Sequence, residues 1–178
     1  MKKVVIIGPE STGKSTLCAQ LASHFNTEWC PEFARDYLLQ EGKDYTYNDL
    51  LTIARGQTAL EEQFISKSDA PLLFFDTDQY VMKVWCEFVF DNCHPYILDT
   101  IAKRKYDLYL LCDIDLPWIA DELREYPDER PRQELFHMYK DLLVQQHVPW
   151  VRISGDYDQR FNKAVAAVEA HINFPAAQ

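Results

Sequence analysis

Gly8-Pro9-Glu10-Ser11-Thr12-Gly13-Lys14-Ser15 fits G-x-x-x-x-G-K-S, the pattern of a phosphate-binding loop. Its flanks give the match its force. Val4-Val5-Ile6-Ile7 before it is a short apolar run that reads as a buried strand, and Thr16-Leu17-Cys18-Ala19-Gln20-Leu21-Ala22 after it reads as the opening turns of a helix. The glycines let successive backbone N–H groups curl around a polyphosphate, and the helix N-terminus adds partial positive charge. Gly8, Glu10, Ser11, Thr12, Gly13, Lys14, Ser15 and Thr16 are therefore the expected ATP-binding residues. Lys14 is placed to reach the β- and γ-phosphates and counts as catalytic, and the Ser15 hydroxyl is placed to ligate Mg²⁺. A bare strand-to-helix turn has no need of Lys-Ser at the start of its helix.

The rest of the chain alternates in the same sense. Apolar runs at 4–8, 27–30, 72–76, 108–113 and 150–153 read as strands, with helical patterns at about 46–66, 78–90, from 130 onward, and at 156–172. Thr46 offers an N-cap, Pro131 suits a first helical turn, and the tail 173–178 is expected to fray. This βαβ alternation predicts a three-layer α/β sandwich of the P-loop NTPase type. Its sheet is expected to be parallel and five-stranded, in the order 2-3-1-4-5 common to nucleotide kinases of this shape.

Composition narrows the class. The 178 residues carry a net charge of −10 with no basic run, which argues against a nucleic-acid partner. No apolar run approaches the ~20 residues of a membrane span, and Met1-Lys2-Lys3 with four apolar residues is too short for a signal peptide. The five cysteines form no C-x-x-C and read as reduced thiols in a cytoplasmic protein; Cys86, Cys93 and His94 lack a fourth ligand and a metal-site spacing. One domain over 1–178 is expected, acting on a small molecule, and a homo-oligomer is compatible with it.

Ligands of such sheets bind at the carboxyl ends of the strands. The third strand, Leu72-Leu73-Phe74-Phe75-Asp76, ends in a carboxylate suited to Mg²⁺, and Asp78 follows as either an active-site group or a helix N-cap. The second strand exits into Pro31-Glu32-Phe33-Ala34-Arg35-Asp36. Glu32 and Asp36 are one helical turn apart with Arg35 beside them, which suits either a hydroxyl acceptor and its general base or a solvated charge pattern. Asp36 is the first choice as base and Glu32 the second. After the fourth strand, residues 115–132 hold Asp121, Arg124, Arg130 and Arg132 among prolines and acids. That composition suits a mobile lid bringing a guanidinium to the transferring phosphoryl, with Arg124 favoured over Arg130, or surface ion pairing. Trp118, just past the strand end, is a candidate to stack on a flat ring, and Trp85 reads as core. Gly155, after the fifth strand, is placed to border adenine, although Asp156 as an N-cap explains the turn equally well.

Three further stretches carry a resemblance: Pro31-Glu32-Phe33-Ala34-Arg35-Asp36-Tyr37, Asp76-Thr77-Asp78, and Asp115-Leu116-Pro117-Trp118-Ile119-Ala120-Asp121-Glu122-Leu123-Arg124. With the phosphate loop and Tyr106-Asp107-Leu108-Tyr109-Leu110-Leu111, they resemble the kinase domain of NadR-type proteins, the ribosylnicotinamide kinases of bacterial NAD metabolism. The resemblance implies transfer of the γ-phosphate of ATP, with Mg²⁺, to the 5′-hydroxyl of nicotinamide riboside, giving nicotinamide mononucleotide. It implies phosphate and metal roles for Lys14, Ser15 and Asp76, acceptor-side roles for Glu32, Arg35, Asp36 and Asp78, and lid-side roles for Trp118, Asp121 and Arg124. NadR-type proteins can also carry repressor and adenylyltransferase domains; no H-x-G-H-like motif occurs in this chain. Another small-molecule P-loop kinase, or a non-catalytic ATP-binding regulator, would share the phosphate loop. A GTPase is disfavoured, because Asn162-Lys163-Ala164-Val165 lacks the aspartate of N-K-x-D.

Overall fold

The computed structural model describes residues 1–172, so the fraying expected at 173–178 falls outside the described residues. Five parallel strands form the sheet: β1 (Lys2–Ile7), β2 (Trp29–Cys30), β3 (Leu72–Asp76), β4 (Leu108–Cys112) and β5 (Trp150–Ile153). Their order is β2-β3-β1-β4-β5, as expected from the sequence. The register sets Ile6 opposite both Asp76 and Leu110, and Cys112 opposite Ile153. The carboxyl ends of β1, β3, β4 and β5 therefore open at one edge.

Among the described residues, seven helices surround the sheet: α1 (Lys14–His24), α2 (Phe33–Glu41), α3 (Tyr47–Lys67), α4 (Gln79–Phe90), α5 (Pro95–Lys103), α6 (Glu129–Val144) and α7 (Tyr157–His171). Alternation along each strand divides the core. Val4, Ile6, Phe74, Leu110 and Ile153 pack with Leu17 and Leu21 of α1 and Ala164 and Val168 of α7. Val5, Ile7, Phe75 and Leu111 turn the other way, toward Val84 of α4 and Leu135 and Leu143 of α6. Each fully buried aliphatic or phenyl side chain contributes roughly 1.5–3 kcal/mol, which makes the strand ends a stiff platform. A third cluster, with Leu38, Leu50, Ile53, Met82 and Ile97, closes α2 to α5 over one end of the sheet.

Local signals account for the helix starts. Thr46 and Asp49 form a reciprocal capping box at the head of α3, and Asp156 and Gln159 form another at the head of α7. Helix α5 fills a stretch where the sequence predicts no element; it begins at Pro95 and is only 9 residues long, shorter than the window over which helical periodicity is read. Helix α6 begins at Glu129, in line with the helical pattern expected from 130 onward, and the irregular segment before it runs from Asp113 to Asp128. Arg130 and Arg132 thus lie on the first turn of a helix.

Gly8, at the end of β1, has φ +144°, and a Cβ built there would stand 2.7 Å from the carbonyl oxygen of Cys112. The chain turns against β4 with no room for a side chain. Gly8→Ala is expected to cost about 1–3 kcal/mol in backbone strain alone, lowering Tm by roughly 2–12 °C. A thermal melt unchanged from wild type would show that the loop relaxes away from β4.

Candidate active site

The phosphate loop bridges β1 and α1. Gly13 occupies the N-cap of α1 in the left-handed region, with no side-chain cap and no acidic residue in the first turn. The amides and the dipole of α1 are therefore free of any carboxylate of its own first turn, which is what an anion requires. Thr12 Oγ1 donates to the Pro9 carbonyl at 2.7 Å and Lys14 Nζ to the same oxygen at 2.9 Å, holding the loop curled with the ammonium folded across it. The Ser15 hydroxyl donates to Asp76 Oδ2, while Asp76 Oδ1 is buried without a partner among the described residues. A hydroxyl paired with a carboxylate that keeps a free oxygen is an oxygen-donor set suited to Mg²⁺ beside a polyphosphate. Burial pushes the Asp76 carboxyl above its ordinary range, opposed by Lys14 and the Ser15 bond.

A cleft of about 250 Å³ opens from this loop. Its floor holds every loop residue from Gly8 to Thr16, and its far wall holds Glu32, Arg35, Tyr45, Trp85, Phe88, Glu125, Tyr126 and Tyr139. Glu32 stands at the head of α2. Burial, together with the charge of Asp76, pushes its carboxyl up to about 7 against the pull of Lys14 and Arg35. A carboxylate poised near neutrality can accept a proton from a hydroxyl at physiological pH.

The structure sorts the sequence candidates. Glu32, Arg35, Arg124 and the whole phosphate loop line the cleft; Asp36, Asp78, Trp118, Asp121, Arg130 and Gly155 do not. Asp36 is exposed one turn along α2, whereas Glu32, the extended N-cap residue that precedes the helix, lines the cleft. Asp78 is buried as the N-cap of α4, with Oδ1 accepting from Tyr80 N at 2.9 Å and Oδ2 from the Tyr109 hydroxyl at 2.7 Å. Asp121 organises the loop after β4, accepting the N–H groups of Leu123 and Arg124 and pairing with Arg35 and Arg124 at 3.2 Å. Arg130 is exposed on α6. Gly155 has φ +107°, donates its N–H to Asp115 at 2.6 Å and lies in the turn before α7.

The aromatic assignments exchange places. Trp118 lines a separate hollow beside Phe136 and Arg152, whereas Trp85 lines the cleft, edge-on to Tyr45 at 4.9 Å. Val81, Trp85 and Phe88 form one stripe of α4 toward the cleft, while Met82 and Cys86 turn toward the α2–α5 cluster. Gln79, Lys83 and Glu87 mark one polar edge of α4, but its apolar face is broad, so the sequence does not separate the cleft-facing stripe from those that pack into the core. Arg160, on α7, also escaped notice. It is 3 % exposed and donates to the carbonyls of Thr12, Asp113 and Gly155 at 2.7–2.9 Å.

This geometry frames the comparisons with known proteins. The model of the family described as AAA domain, AAA_28, matches residues 3–160. The chain belongs to that family. It is 33 % identical to the trifunctional NAD biosynthesis/regulator protein NadR of Escherichia coli K12 over 173 residues, 94 % of this chain and 42 % of the relative. The chain thus spans about two-fifths of the length of the curated relatives it matches. Among solved structures, NadR in complex with NR superposes with a TM-score of 0.83 at 25 % identity, covering 99 % of this chain and 51 % of that one. A deoxyadenosine kinase from M. mycoides with bound dATP shares the fold, with a TM-score of 0.65 at 13 % identity over 95 % of this chain and 100 % of that one. This AAA_28 member thus has a P-loop kinase fold. Among the described residues, no helix is long and apolar enough to cross a membrane.

Asp78 carries a testable consequence of its burial. Desolvation pushes its carboxyl up to about 7, opposed chiefly by the Tyr109 bond. Such a group holds its proton longer in the folded chain than in the unfolded one. It stabilises the fold at low pH, and that stability is lost as pH rises from its ordinary value through about 7. Asp78→Asn keeps an acceptor for Tyr80 N. Its Tm is expected to fall less than that of wild type between pH 5 and pH 8, ending level with it or a few degrees above. Parallel curves in thermal melts across that range would contradict the assignment.

Proposed function

We propose that this chain is a ribosylnicotinamide kinase, transferring the γ-phosphoryl group of ATP to the 5′-hydroxyl of nicotinamide riboside. The observation that carries the reading is one cleft joining an uncapped phosphate loop to a carboxylate near neutral pKa and a wall of aromatic rings. The 25 % identity with NadR bound to NR, across 99 % of this chain, supports the choice of acceptor.

The roles follow from the residues. The loop amides and the N-terminus of α1 bind the triphosphate, and Lys14 leaves the Pro9 carbonyl to follow the charge that develops between the β- and γ-phosphates. Ser15 and Asp76 would hold Mg²⁺, which when bound neutralises part of the phosphate charge. Glu32 accepts the proton of the attacking 5′-hydroxyl as the new O–P bond forms and the bond to the departing ADP oxygen breaks. Arg35 and Arg124 approach the same space from α2 and from the loop after β4, supplying positive charge toward the transferring group. The acceptor's pyridinium ring is a flat cation. Trp85 and Tyr45 offer it aromatic faces worth roughly 0.5–2 kcal/mol, with the Glu125 carboxylate beside them. The reading places the chain in a cytoplasmic step of NAD salvage, with a small molecule as its partner.

Steady-state assays with nicotinamide riboside and with uridine test the proposal directly. The cationic nucleoside is expected to have the higher kcat/KM. Equal use of the two, or turnover of another acceptor without nicotinamide riboside, would overturn it. Trp85→Ala is expected to narrow that preference by roughly 2- to 30-fold, the equivalent of the lost cation–π contact, and an unchanged preference would remove Trp85 from the acceptor site.

Glu32→Gln is expected to lower kcat by about 10²–10⁴. In wild type, kcat/KM should rise with pH and level off above about 7 as Glu32 loses its proton, and the variant should lack that limb. Retention of the limb would assign the base elsewhere.

A further inference from the structure

Glu10 is a variable position of the phosphate loop, and its carboxylate does not turn toward the loop's own amides. Its oxygens accept the backbone N–H of Glu125 at 3.0 Å, the N–H of Tyr126 at 2.5 Å and the indole N–H of Trp118 at 3.4 Å. The neighbouring Ser11 Oγ accepts the N–H of Ile119 at 2.9 Å. Two adjacent loop residues thus hold both arms of the segment between β4 and α6, the outgoing arm at Trp118 and Ile119 and the returning arm at Glu125 and Tyr126.

Other anchors hold its outgoing arm and its middle: Arg160 and the Gly155 N–H reach the Asp115 carboxylate, Arg132 donates to the carbonyls of Ile114 and Leu116, and Arg35 pairs with Asp121. Among the described residues, no backbone-to-backbone hydrogen bond of a turn or loop involves a residue from 114 to 128. Side chains take that part: Asp113 for the N–H of Ile114, Asp121 for those of Leu123 and Arg124, and Glu10 for those of Glu125 and Tyr126. Asp113 shapes the start of the segment from beside it, and Asp121 shapes its middle from within while its carboxylate pairs with Arg35 of α2. Glu10 and Ser11 reach its backbone from the phosphate loop, and Glu10 accepts both N–H groups at the end of the returning arm. The returning arm is the one that counts for the cleft. Leu123, Arg124, Glu125 and Tyr126 line it, and the Tyr45 hydroxyl donates to Glu125 at 3.0 Å across its mouth.

We infer that Glu10 is the positioning residue of the lid, holding residues 123–126 over the cleft so that Arg124 and Tyr126 stand where the acceptor and the transferring group meet. The inference rests on the kinase reading for its effect on rate, but not for its effect on structure. An anionic latch inside a phosphate-binding loop also has a direction. A bound polyphosphate places negative charge beside the same carboxylate, so nucleotide arrival and lid position act on one another through Glu10. Glu10 touches no reacting atom in this role; it acts through the backbone of the lid.

The experiment compares Glu10→Ala and Glu10→Gln with wild type by hydrogen exchange of backbone amides without ligand and by steady-state kinetics with ATP and nicotinamide riboside. In Glu10→Ala, the amides of Glu125 and Tyr126 are expected to exchange at least tenfold faster while those of β4 and the middle of α6 hold their wild-type rates. Over the same substitution, kcat is expected to fall at least tenfold, with a smaller change in the KM for nicotinamide riboside. Glu10→Gln keeps one acceptor oxygen and should fall between the two in both readouts; it also serves if the alanine variant does not fold. Unchanged exchange at Glu125 and Tyr126 in both variants would overturn the latch, and faster exchange with wild-type kcat would overturn its positioning role. If wild type itself does not turn over nicotinamide riboside, the kinase reading fails, and exchange alone decides whether Glu10 holds the lid.

Discussion

A buried guanidinium holds the phosphate-loop edge of this protein together. Arg160 lies at 3 % exposure between the ends of three adjacent strands, and its donors reach Thr12 in the phosphate loop, Asp113 after β4, Gly155 after β5 and the carboxylate of Asp115. Removing such a charge from water costs several kcal/mol unless nearly every N–H finds an acceptor. Here the acceptors are carbonyls of the loops that must converge, so the requirement to satisfy one side chain fixes the mutual placement of all three. A loop that binds phosphate through its backbone depends on that placement, because the backbone has no rotamers with which to correct an error.

The same logic extends outward in steps. The sheet, packed on both faces, makes the strand ends rigid. Arg160 ties the phosphate loop to them, Glu10 and Ser11 tie the segment after β4 to the phosphate loop, and the Arg35–Asp121 and Tyr45–Glu125 contacts tie that segment to α2 and to the stretch before α3. The bonds grow more exposed along this sequence. Half-exposed ion pairs such as Arg35–Asp121 are worth only about 0–1 kcal/mol, so the outer contacts are the ones that can open for ligand exchange while the loop stays formed.

Charge is arranged against the overall composition. The chain carries −10, yet the cleft places Lys14, Arg35 and Arg124 around the space where phosphates would lie. The acids that remain near them are partly disarmed. Burial, together with the charge of Asp76, pushes Glu32 up to about 7, and burial raises Asp76 against the pull of Lys14 and the Ser15 bond, so this edge disfavours carrying both carboxylates charged without a nearby cation.

Sequence alone determined what depends on local chemistry: the phosphate loop between a strand and a helix, the aspartate ending β3, the parallel order of the sheet, and the caps at Thr46 and Asp156. Each of these needs particular residue types at fixed spacing, and spacing is what a sequence displays. Tertiary structure decided the rest. Glu32 rather than Asp36 lines the cleft because it is the extended N-cap residue where β2 gives way to α2, while Asp36 is exposed a turn along the helix; Trp85 rather than Trp118 borders it because one stripe of the broad apolar face of α4 lines the cleft. Arg160 acquires its role only when residues 45 to 148 positions apart are brought within hydrogen-bonding distance. Helix phase and long-range contact are properties of how elements pack on one another, and no window of neighbouring residues contains them.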